Sequence, residues 1–273
     1  MPAFNGKSLT VGLAGLGAVG MAVARRLKSG IPGLELGAVA AREHARAVAR
    51  LADAGIDAPV VSLAELAERA DIVVEAIPAA AFRAVAEPAI AARRILVALS
   101  AGALLENSDL IERAAAMGAR IIVPTGALLG LDAVRAAAEG EIVSVRMITR
   151  KPPAGLEGAP YLVERGISLV GLNTARKVFD GSARDGARGF PANVNVAAAL
   201  ALAGIGPDRT RLEIWADPGI ERNTHSIEVE ADSARFRMTI ENIPSENPRT
   251  GRITALSAVA CLRGLVAPLR VGS

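Results

Sequence analysis

Three glycines at fixed spacing are the first residues whose types suggest a chemistry. The segment from Val11 to Gly20 reads VGLAGLGAVG, with G-x-G-x-x-G between an apolar run and a helical pattern. In this pattern Gly15 permits a tight turn, Gly17 lets the backbone approach a pyrophosphate, and Gly20 allows close helix–strand packing. The first helical turn then offers backbone N–H groups to phosphates. We predict dinucleotide contacts at Gly15, Leu16, Gly17, Ala18, Val19 and Gly20.

The end of the second predicted strand bears on the choice of dinucleotide. NAD sites commonly place Asp or Glu there, about 20 residues after the glycine motif. This sequence instead reads Ala40-Ala41-Arg42. Arg42 can face a 2′-phosphate, or it can be a solvated residue at a helix start. The sequence therefore predicts NAD or NADP without choosing between them.

His225 is the candidate for acid–base chemistry. The chain has two histidines, and His44 lies in the polar start of a helix, where a solvated role is expected. His225 opens the strand-like run HSIEVEA, and period-two alternation places it on the same face as Ile227 and Val229. An imidazole titrates near neutrality, which suits proton transfer. A buried histidine that only packs and donates a hydrogen bond is the alternative.

Polar groups that could hold a substrate lie near two predicted turns. Asn193 and Asn195 follow Pro191, which suits the first turn of a helix that we predict to run on to Gly204. One of these asparagines can cap the helix, and the pair can hydrogen-bond a carboxylate or carboxamide. Candidates for a carboxylate clamp are Arg150, Lys151 and Arg222, with surface charge as the default for each.

The elements that must position these groups divide into two patterns. From Leu9 to Pro124, short aliphatic runs alternate with helical stretches, which indicates a Rossmann-type, doubly wound parallel sheet. One of the helical stretches is predicted as a single helix from Leu104 to Met117. Ligands bind beyond the carboxyl ends of parallel strands, so loops after three strands should rim the cofactor. These loops contain Ile77 and Pro78, then Ser100, Ala101 and Gly102, then Ala127.

After Pro124 the strands cluster, which predicts a second α+β domain on an open, mixed or antiparallel sheet. The expected domains are residues 1–124 for the dinucleotide and 125–248 for substrate, catalysis and oligomerisation. A helix within 249–273 is expected to pack back on the first domain.

Composition excludes several classes of function. The net charge of the 273 residues is +3, and basic residues neither cluster nor alternate with aromatics, so no nucleic-acid partner is expected. A single cysteine, Cys261, excludes an internal disulfide and a cysteine-based metal cluster, and no metal is predicted. No apolar run reaches the roughly 18 residues of a membrane span. We expect a cytoplasmic protein with no membrane contact.

Several stretches together resemble one family, the L-aspartate dehydrogenases. They include VGLAGLGAVG, PTGALLGLDAV, FPANVNVAAALALAGIGPDRT and RNTHSIEVEADSARF. The glycine motif is widespread, whereas FPANVNVAAAL followed by NTHSIEVEA is far more specific.

The resemblance implies oxidation of L-aspartate by NAD or NADP to iminoaspartate, which water converts to oxaloacetate and ammonia, with a role in NAD biosynthesis. It places the catalytic histidine at His225 and cofactor contacts at Ala127 and Asn195. Substrate contacts are expected at Asn193, Lys151 and Thr224, and a homodimer is expected. Asp217 is the candidate for orienting His225.

Two other functions stay open at the level of sequence. A homoserine- or sugar-dehydrogenase-like enzyme would use a lysine, for which Lys151 and Lys177 are available in turn-like or charged contexts. A dinucleotide-sensing protein without turnover is the second alternative.

Overall fold

A computed structural model describes residues 8–191, 194–244 and 251–272. The chain forms two compact units. The first contains residues Met1–Pro124 and Ala255–Arg270, and the second contains Thr125–Thr254 and Val271–Ser273.

The first unit is built on a six-stranded parallel sheet with the order β3-β2-β1-β4-β5-β6. Aliphatic residues dominate the strands because helices cover both faces of such a sheet. The strands are β1 (Leu9–Ala14), β2 (Leu34–Ala40), β3 (Val60–Val61), β4 (Ile72–Glu75), β5 (Ile95–Ala98) and β6 (Arg120–Ile122).

The helices of this unit follow the strands in alternation. They are α1 (Ala18–Lys28), α2 (His44–Asp53), α3 (Leu63–Arg69), α4 (Phe82–Ala91), α5 (Ala101–Glu106) and α6 (Asp109–Met117). Ser62 begins α3 with a capping box, in which its side chain accepts from the Glu65 N–H and Glu65 accepts in return. The predicted Rossmann-type architecture is confirmed.

One helix prediction in this unit is wrong. The stretch Leu104–Met117 is not a single helix, since α5 ends at Glu106 and α6 begins at Asp109. Asn107 turns its side-chain amide back to the Ala103 carbonyl at 2.8 Å. This side-chain bond competes with helix continuation, as asparagine commonly does.

A helix from the end of the chain, labelled α11 (Ile253–Val266), contributes to the same unit. Ala258, Val259 and Leu262 join the apolar core cluster that contains Val11 and Val23. Cys261 packs against this cluster, and burial raises the pKa of its thiol to about 11.

The second unit is built on a five-stranded mixed sheet with the order β11-β10-β7-β9-β8. Three strand pairs are antiparallel, and β7 and β9 are parallel. The strands are β7 (Ile142–Lys151), β8 (Arg176–Ser182), β9 (Thr210–Ala216), β10 (Asn223–Ala231) and β11 (Arg235–Asn242). The predicted open, mixed sheet is confirmed.

Alternation along β10 separates two faces of this sheet. Asn223, His225, Ile227 and Val229 are buried, whereas the residues between them are partly exposed. The register pairs His225 with Thr149 and Ile227 with Met147 of β7. The buried faces of the two strands therefore form one surface, called here the inner face.

The helices of the second unit are α7 (Leu131–Ala137), α8 (Pro160–Glu164), α9 (Ala183–Gly189) and α10 (Asn195–Ala203). The predicted start of a helix at Pro191 is wrong, because α9 ends before buried Phe190 and α10 begins at Asn195. Phe190 packs against Tyr161 and Phe179 with ring centroids 5.4 and 5.5 Å away. This packing anchors the residue that directly follows α9.

Candidate functional site

The glycine turn has the geometry that each of its glycines predicts. Gly15 has φ +98°, and a Cβ there would lie 2.5 Å from the Ala76 carbonyl oxygen. A Cβ on Gly20 would lie 2.0 Å from the Gly15 oxygen, so only glycine permits this approach. Gly17 is different, because a Cβ there would meet nothing within 4 Å. The turn therefore leaves open space at the one glycine where a pyrophosphate must come close.

The start of α1 presents backbone donors at this turn. Gly17 is the N-cap, and the Met21 N–H makes the first intrahelical bond, to the Gly17 oxygen at 3.0 Å. The N–H groups of Ala18, Val19 and Gly20 precede it, and first-turn groups of this kind bind phosphate. Leu16 is buried, and its carbonyl accepts a hydrogen bond from the Arg50 guanidinium. The residues fit a dinucleotide pyrophosphate.

The ribose end of the site has no acidic side chain at the end of β2. The strand ends at Ala40, and the Arg42 side chain is 94% exposed. The Arg42 guanidinium lies 3.7 Å from the Glu43 carboxylate, a pairing that water weakens. The arginine is therefore accessible to a ligand.

Loops after β4 and β5 meet at a buried carboxylate, that of Glu75. This side chain is completely buried at the end of β4 and accepts hydrogen bonds from the Ile77, Leu99 and Ser100 N–H groups. The Ser100 hydroxyl donates a fourth bond at 3.0 Å. Burial raises the pKa of the Glu75 carboxyl, and the hydrogen bonds act in the opposite direction.

The predicted rim residues lie at these two strand ends. Ile77 and Pro78 follow β4 as a loop, as predicted. The prediction of a loop after β5 needs correction, since Ala101 and Gly102 already belong to the first turn of α5, with Ser100 as its N-cap. Ser100, Ala101 and Gly102 are buried.

In the second unit, His225 lies on the inner face and is only 3% exposed. Its Nδ1 lies 3.1 Å from the Thr149 hydroxyl on the neighbouring strand. Burial and the positive charge of Lys151 lower the pKa of His225 to about 3. The free protein therefore holds a neutral imidazole, and its remaining ring nitrogen, Nε2, is the one suited to exchange a proton with a substrate.

Further polar side chains are buried at the same end of the inner face. Lys151 ends β7 with 3% exposure, two residues beyond Thr149. Asn223 and Asn242 are buried and pair in the register of β10 and β11. The Asn242 amide donates to the Ala127 carbonyl at 2.9 Å. A cation, an imidazole and amides thus lie together among apolar residues, an arrangement suited to a small polar molecule that carries carboxylates.

Two comparisons by sequence bear on this arrangement. Residues 132–265 match the family model for the C-terminal domain of aspartate dehydrogenase, and residues 15–124 match the NAD-binding domain of homoserine dehydrogenase. An L-aspartate dehydrogenase of Bordetella bronchiseptica is 55% identical over 98% of this chain and 98% of its own. The chain belongs to the L-aspartate dehydrogenase family. Another family member, from Bradyrhizobium diazoefficiens, is 55% identical over 97% of this chain and 94% of its own.

The fold agrees with a solved member of the L-aspartate dehydrogenase family. The crystal structure of aspartate dehydrogenase from Thermotoga maritima matches with a TM-score of 0.74. It covers 97% of this chain and 99% of the other at 21% identity.

The remaining site residues expected for an aspartate dehydrogenase differ in how well their positions suit the expected roles. Ala127 lies in a turn within the second unit, next to Gly126, whose φ is +62°. Asn195 is exposed in the first turn of α10, where Val194 is the N-cap, so Asn195 does not cap this helix. Asn193 lies outside the described residues. Thr224 falls between buried neighbours in β10, so its side chain points away from the face that holds His225.

Two expectations about the surroundings of His225 are wrong. Asp217 does not orient the imidazole, because its carboxylate pairs with the Arg150 guanidinium at 3.2 Å, whereas Thr149 contacts the ring. Lys151 is also not a turn residue with surface charge, since it is buried at the end of a strand. The other lysine, Lys177, pairs with Asp180 at 2.6 Å.

Sequence reasoning missed four buried residues in this family member: Glu75, Thr149, Asn223 and Asn242. A charged residue inside the apolar run DIVVEAI was an available signal for Glu75. Thr149 and the two asparagines gave no such signal, because their proximity depends on strand register.

Helices long and apolar enough to cross a membrane are not found in the described part of the chain. A cluster of three or more His, Cys, Asp or Glu side chains suited to a metal is likewise not found among residues 8–191, 194–244 and 251–272.

Proposed function

We propose that this protein is an L-aspartate dehydrogenase that oxidises L-aspartate to iminoaspartate with NAD or NADP. The observation behind this proposal is the buried group His225, Thr149 and Lys151 in a chain that also has the glycine turn. The names of relatives at 55% identity support the same substrate. Water then adds to the imine carbon, and ammonia leaves to give oxaloacetate.

His225 is proposed as the catalytic acid–base group. Its Nε2 accepts a proton from the substrate ammonium, which frees the nitrogen lone pair. That lone pair forms the C=N bond as hydride leaves the substrate Cα, so the first product is a protonated imine. The nicotinamide ring, when bound, supplies the acceptor for this hydride. Thr149 holds Nδ1 at 3.1 Å and so fixes the orientation of the ring.

Lys151 is proposed to bind a substrate carboxylate. Burial and, as the smaller cause, the positive charge of Lys151 lower the pKa of His225, so the free protein resists a second cation at this position. L-Aspartate brings two carboxylates. A carboxylate beside Lys151 offsets the repulsion from this charge, and a bound substrate thereby makes it easier for His225 to accept a proton. Asn193 and Thr224 are further proposed substrate contacts. The Thr224 side chain points away from the inner face, which argues against a contact there.

The dinucleotide is proposed to contact the glycine turn through its pyrophosphate. Arg42 is the proposed partner of a 2′-phosphate when NADP binds. The other proposed contacts are Ile77, Pro78, Ser100, Ala101, Gly102, Ala127 and Asn195.

We also propose a separate function for each part of the chain. Residues 1–124 bind the dinucleotide, residues 125–248 provide substrate binding, catalysis and oligomerisation, and the helix within 249–273 belongs with the first domain. A homodimer, a cytoplasmic location and a role in NAD biosynthesis are part of the same proposal, and they rest on the family. Light scattering of the purified protein tests the dimer directly.

One assay tests the activity. Purified protein is mixed with L-aspartate and either NAD or NADP, and formation of reduced cofactor is followed by absorbance. Other amino acids, homoserine and inositols serve as comparison substrates. We expect turnover with L-aspartate and slower or no turnover with the others. No aspartate-dependent reduction of either cofactor would reject the proposal.

A further inference from the structure

Glu75 places a carboxylate inside the sheet, where packing alone does not require one. It ends β4, and the register pairs it with Ala14 of β1 and Ala98 of β5. It is completely buried, and Val73 on the same face belongs to an apolar core cluster. A carboxylate is costly to bury, and apolar residues of similar size pack such positions at least as well. Its presence at the carboxyl edge of the sheet therefore needs a reason other than packing.

The hydrogen bonds of Glu75 supply one reason. One carboxylate oxygen accepts from the Ile77 N–H at 3.2 Å and from the Ser100 hydroxyl at 3.0 Å. The other accepts from the N–H groups of Leu99 and Ser100 at 3.1 and 2.9 Å. Each oxygen thus takes two bonds, which uses the capacity of an ionised carboxylate. A single side chain joins the loop after β4 to the loop after β5.

The loop after β4 also forms a wall of the glycine turn. The Ala76 N–H donates to the Ala14 carbonyl at 2.9 Å. A Cβ on Gly15 would meet the Ala76 oxygen at 2.5 Å and the Ile77 side chain at 2.9 Å. The position of residues 76 and 77 therefore limits the position of Gly15. Glu75 therefore joins the loop after β4 to the start of α5, and the loop after β4 in turn contacts the glycine turn.

We propose that Glu75 is a positioning residue for dinucleotide binding, which holds the loop after β4 and the start of α5, and through that loop the glycine turn, in the arrangement that receives the cofactor. It acts through Ile77 and Ser100 and does not itself touch the substrate. The proposal rests on the proposed function of the first unit as the dinucleotide-binding unit.

The test compares Glu75→Gln with Val73→Ala. Glutamine keeps the shape but replaces one acceptor by an NH₂ group that faces N–H donors, so the loops lose their common anchor. Val73→Ala removes core packing from the same face of the same strand and leaves the loops bonded. NADH binding is measured by titration calorimetry, thermal unfolding by calorimetry, and kcat and the KM for L-aspartate at saturating cofactor.

We expect Glu75→Gln to weaken NADH binding about tenfold, with kcat and the KM for L-aspartate changed less than about twofold. Val73→Ala should lower the unfolding temperature and leave the Kd for NADH at the wild-type value. Glu75→Asp, which retains the charge, should bind NADH more tightly than Glu75→Gln.

Three results would overturn the proposal. The first is a wild-type Kd in Glu75→Gln, and the second is an equal loss of binding in Val73→Ala at a similar unfolding temperature. If Glu75→Gln does not fold, Glu75→Asp, whose carboxylate is one methylene shorter and cannot reach all four donors, should weaken NADH binding a few-fold relative to the wild type. A wild-type Kd in that variant is the third.

Failure of the proposal for Glu75 can be distinguished from failure of the proposed enzyme activity. Wild-type protein that binds NADH but does not oxidise L-aspartate would reject the proposed reaction, while weaker binding in Glu75→Gln would still support the role of Glu75.

Discussion

The two units assemble their proposed ligand-binding groups in different ways. In the first unit the groups are backbone N–H donors and bare Cα atoms, which a contiguous segment from Gly15 to Gly20 supplies. In the second unit they are side chains from separate strands, such as His225 and Thr149, which are 76 residues apart. A turn of this first kind can be recognised in a short sequence, whereas a side-chain cluster of the second kind depends on strand pairing.

The two sites also differ in exposure. Gly17 and Ala18 are exposed, whereas His225 and Lys151 are almost completely buried. Substitution of Gly17 should therefore change dinucleotide binding and spare stability, because a Cβ there meets nothing within 4 Å. Substitutions on the inner face should change chemistry and protonation. Five predictions test this contrast: four on catalysis and binding in order of decreasing effect, and a last one on acid stability.

The largest expected effect is that of His225→Ala. Removal of the proposed proton acceptor should lower kcat with L-aspartate by about 10²–10⁴-fold. The Kd for NADH should stay within about twofold, because the proposed pyrophosphate contacts lie in the other unit. Steady-state kinetics and calorimetric titration measure the two quantities.

Ile227→Val is the matched control for His225→Ala, since Ile227 is buried on the same face of β10. It should retain kcat. Near-normal turnover in His225→Ala would leave the histidine with a packing role only.

Gly17→Ala should weaken binding of NAD and NADP by on the order of tenfold or more, because a methyl group there occupies the space where the pyrophosphate approaches. The unfolding temperature should not fall, since the added Cβ meets nothing within 4 Å. Gly264→Ala in α11 is the control, as it also adds a Cβ in open space. Unchanged dinucleotide affinity in Gly17→Ala would separate the glycine turn from cofactor binding.

Lys151→Met should raise the KM for L-aspartate about tenfold, because a charge-assisted contact to a carboxylate is lost. It should also raise the pKa of His225, since one cause of its depression is removed. NMR titration of the imidazole measures that pKa, and His44→Gln identifies the His225 signal. Lys177→Met, which removes a lysine paired with Asp180, serves as the control. A KM and a pKa that both stay at wild-type values would contradict the assigned role.

Arg42→Ala sharpens the choice of cofactor. If Arg42 contacts a 2′-phosphate, the variant should lose about tenfold in kcat/KM with NADP and little with NAD. Arg26→Ala, an exposed arginine in the last turn of α1, is the control. Equal effects on the two cofactors would make Arg42 a solvated residue.

The last prediction concerns acid stability rather than catalysis or binding. The pKa of His225 is about 3 in the folded protein and near 6.5 when unfolded, so the unfolded state takes up a proton first as the pH falls. The stabilising contribution of the neutral imidazole is present above about pH 6.5 and is lost as the pH falls from there towards 3. The His225→Gln variant should therefore show a smaller drop in unfolding temperature over this window, measured by calorimetry. An identical pH dependence in both proteins would contradict the depressed pKa.

Much of the first unit could be predicted from sequence alone. Its strands and helices alternate as predicted, because aliphatic runs and helix caps such as the capping box at Ser62 are local signals. The glycine turn is also local, since its backbone conformation is set by the absence of Cβ atoms within one short segment. The break between α5 and α6 was not predicted, because in the sequence Asn107 looks like any polar residue on the surface of a helix. The bond from its side chain to Ala103 is visible only in the structure.

For the second unit, the sequence predicted which face of β10 is buried but not which side chains surround His225. Alternation placed His225 with Ile227 and Val229 on a buried face, as the burial pattern of β10 confirms. The edge strand β8 escaped prediction because RKVFDGS mixes charged and small residues without alternation. Thr149, Lys151 and Asn242 could not be assigned to the surroundings of His225, because no local pattern states the register of one strand against another.

The sequence by itself determined that a parallel sheet and a glycine turn form, and that His225 points inward. Only the tertiary structure decided that Thr149 rather than Asp217 contacts the imidazole, that Lys151 is buried near it, and that Glu75 joins two loops. The physical reason is the separation along the chain over which each interaction acts. Backbone conformation and amphipathic period act over a few neighbouring residues, whereas hydrogen bonds between side chains arise from pairings across tens of residues, which the whole core fixes.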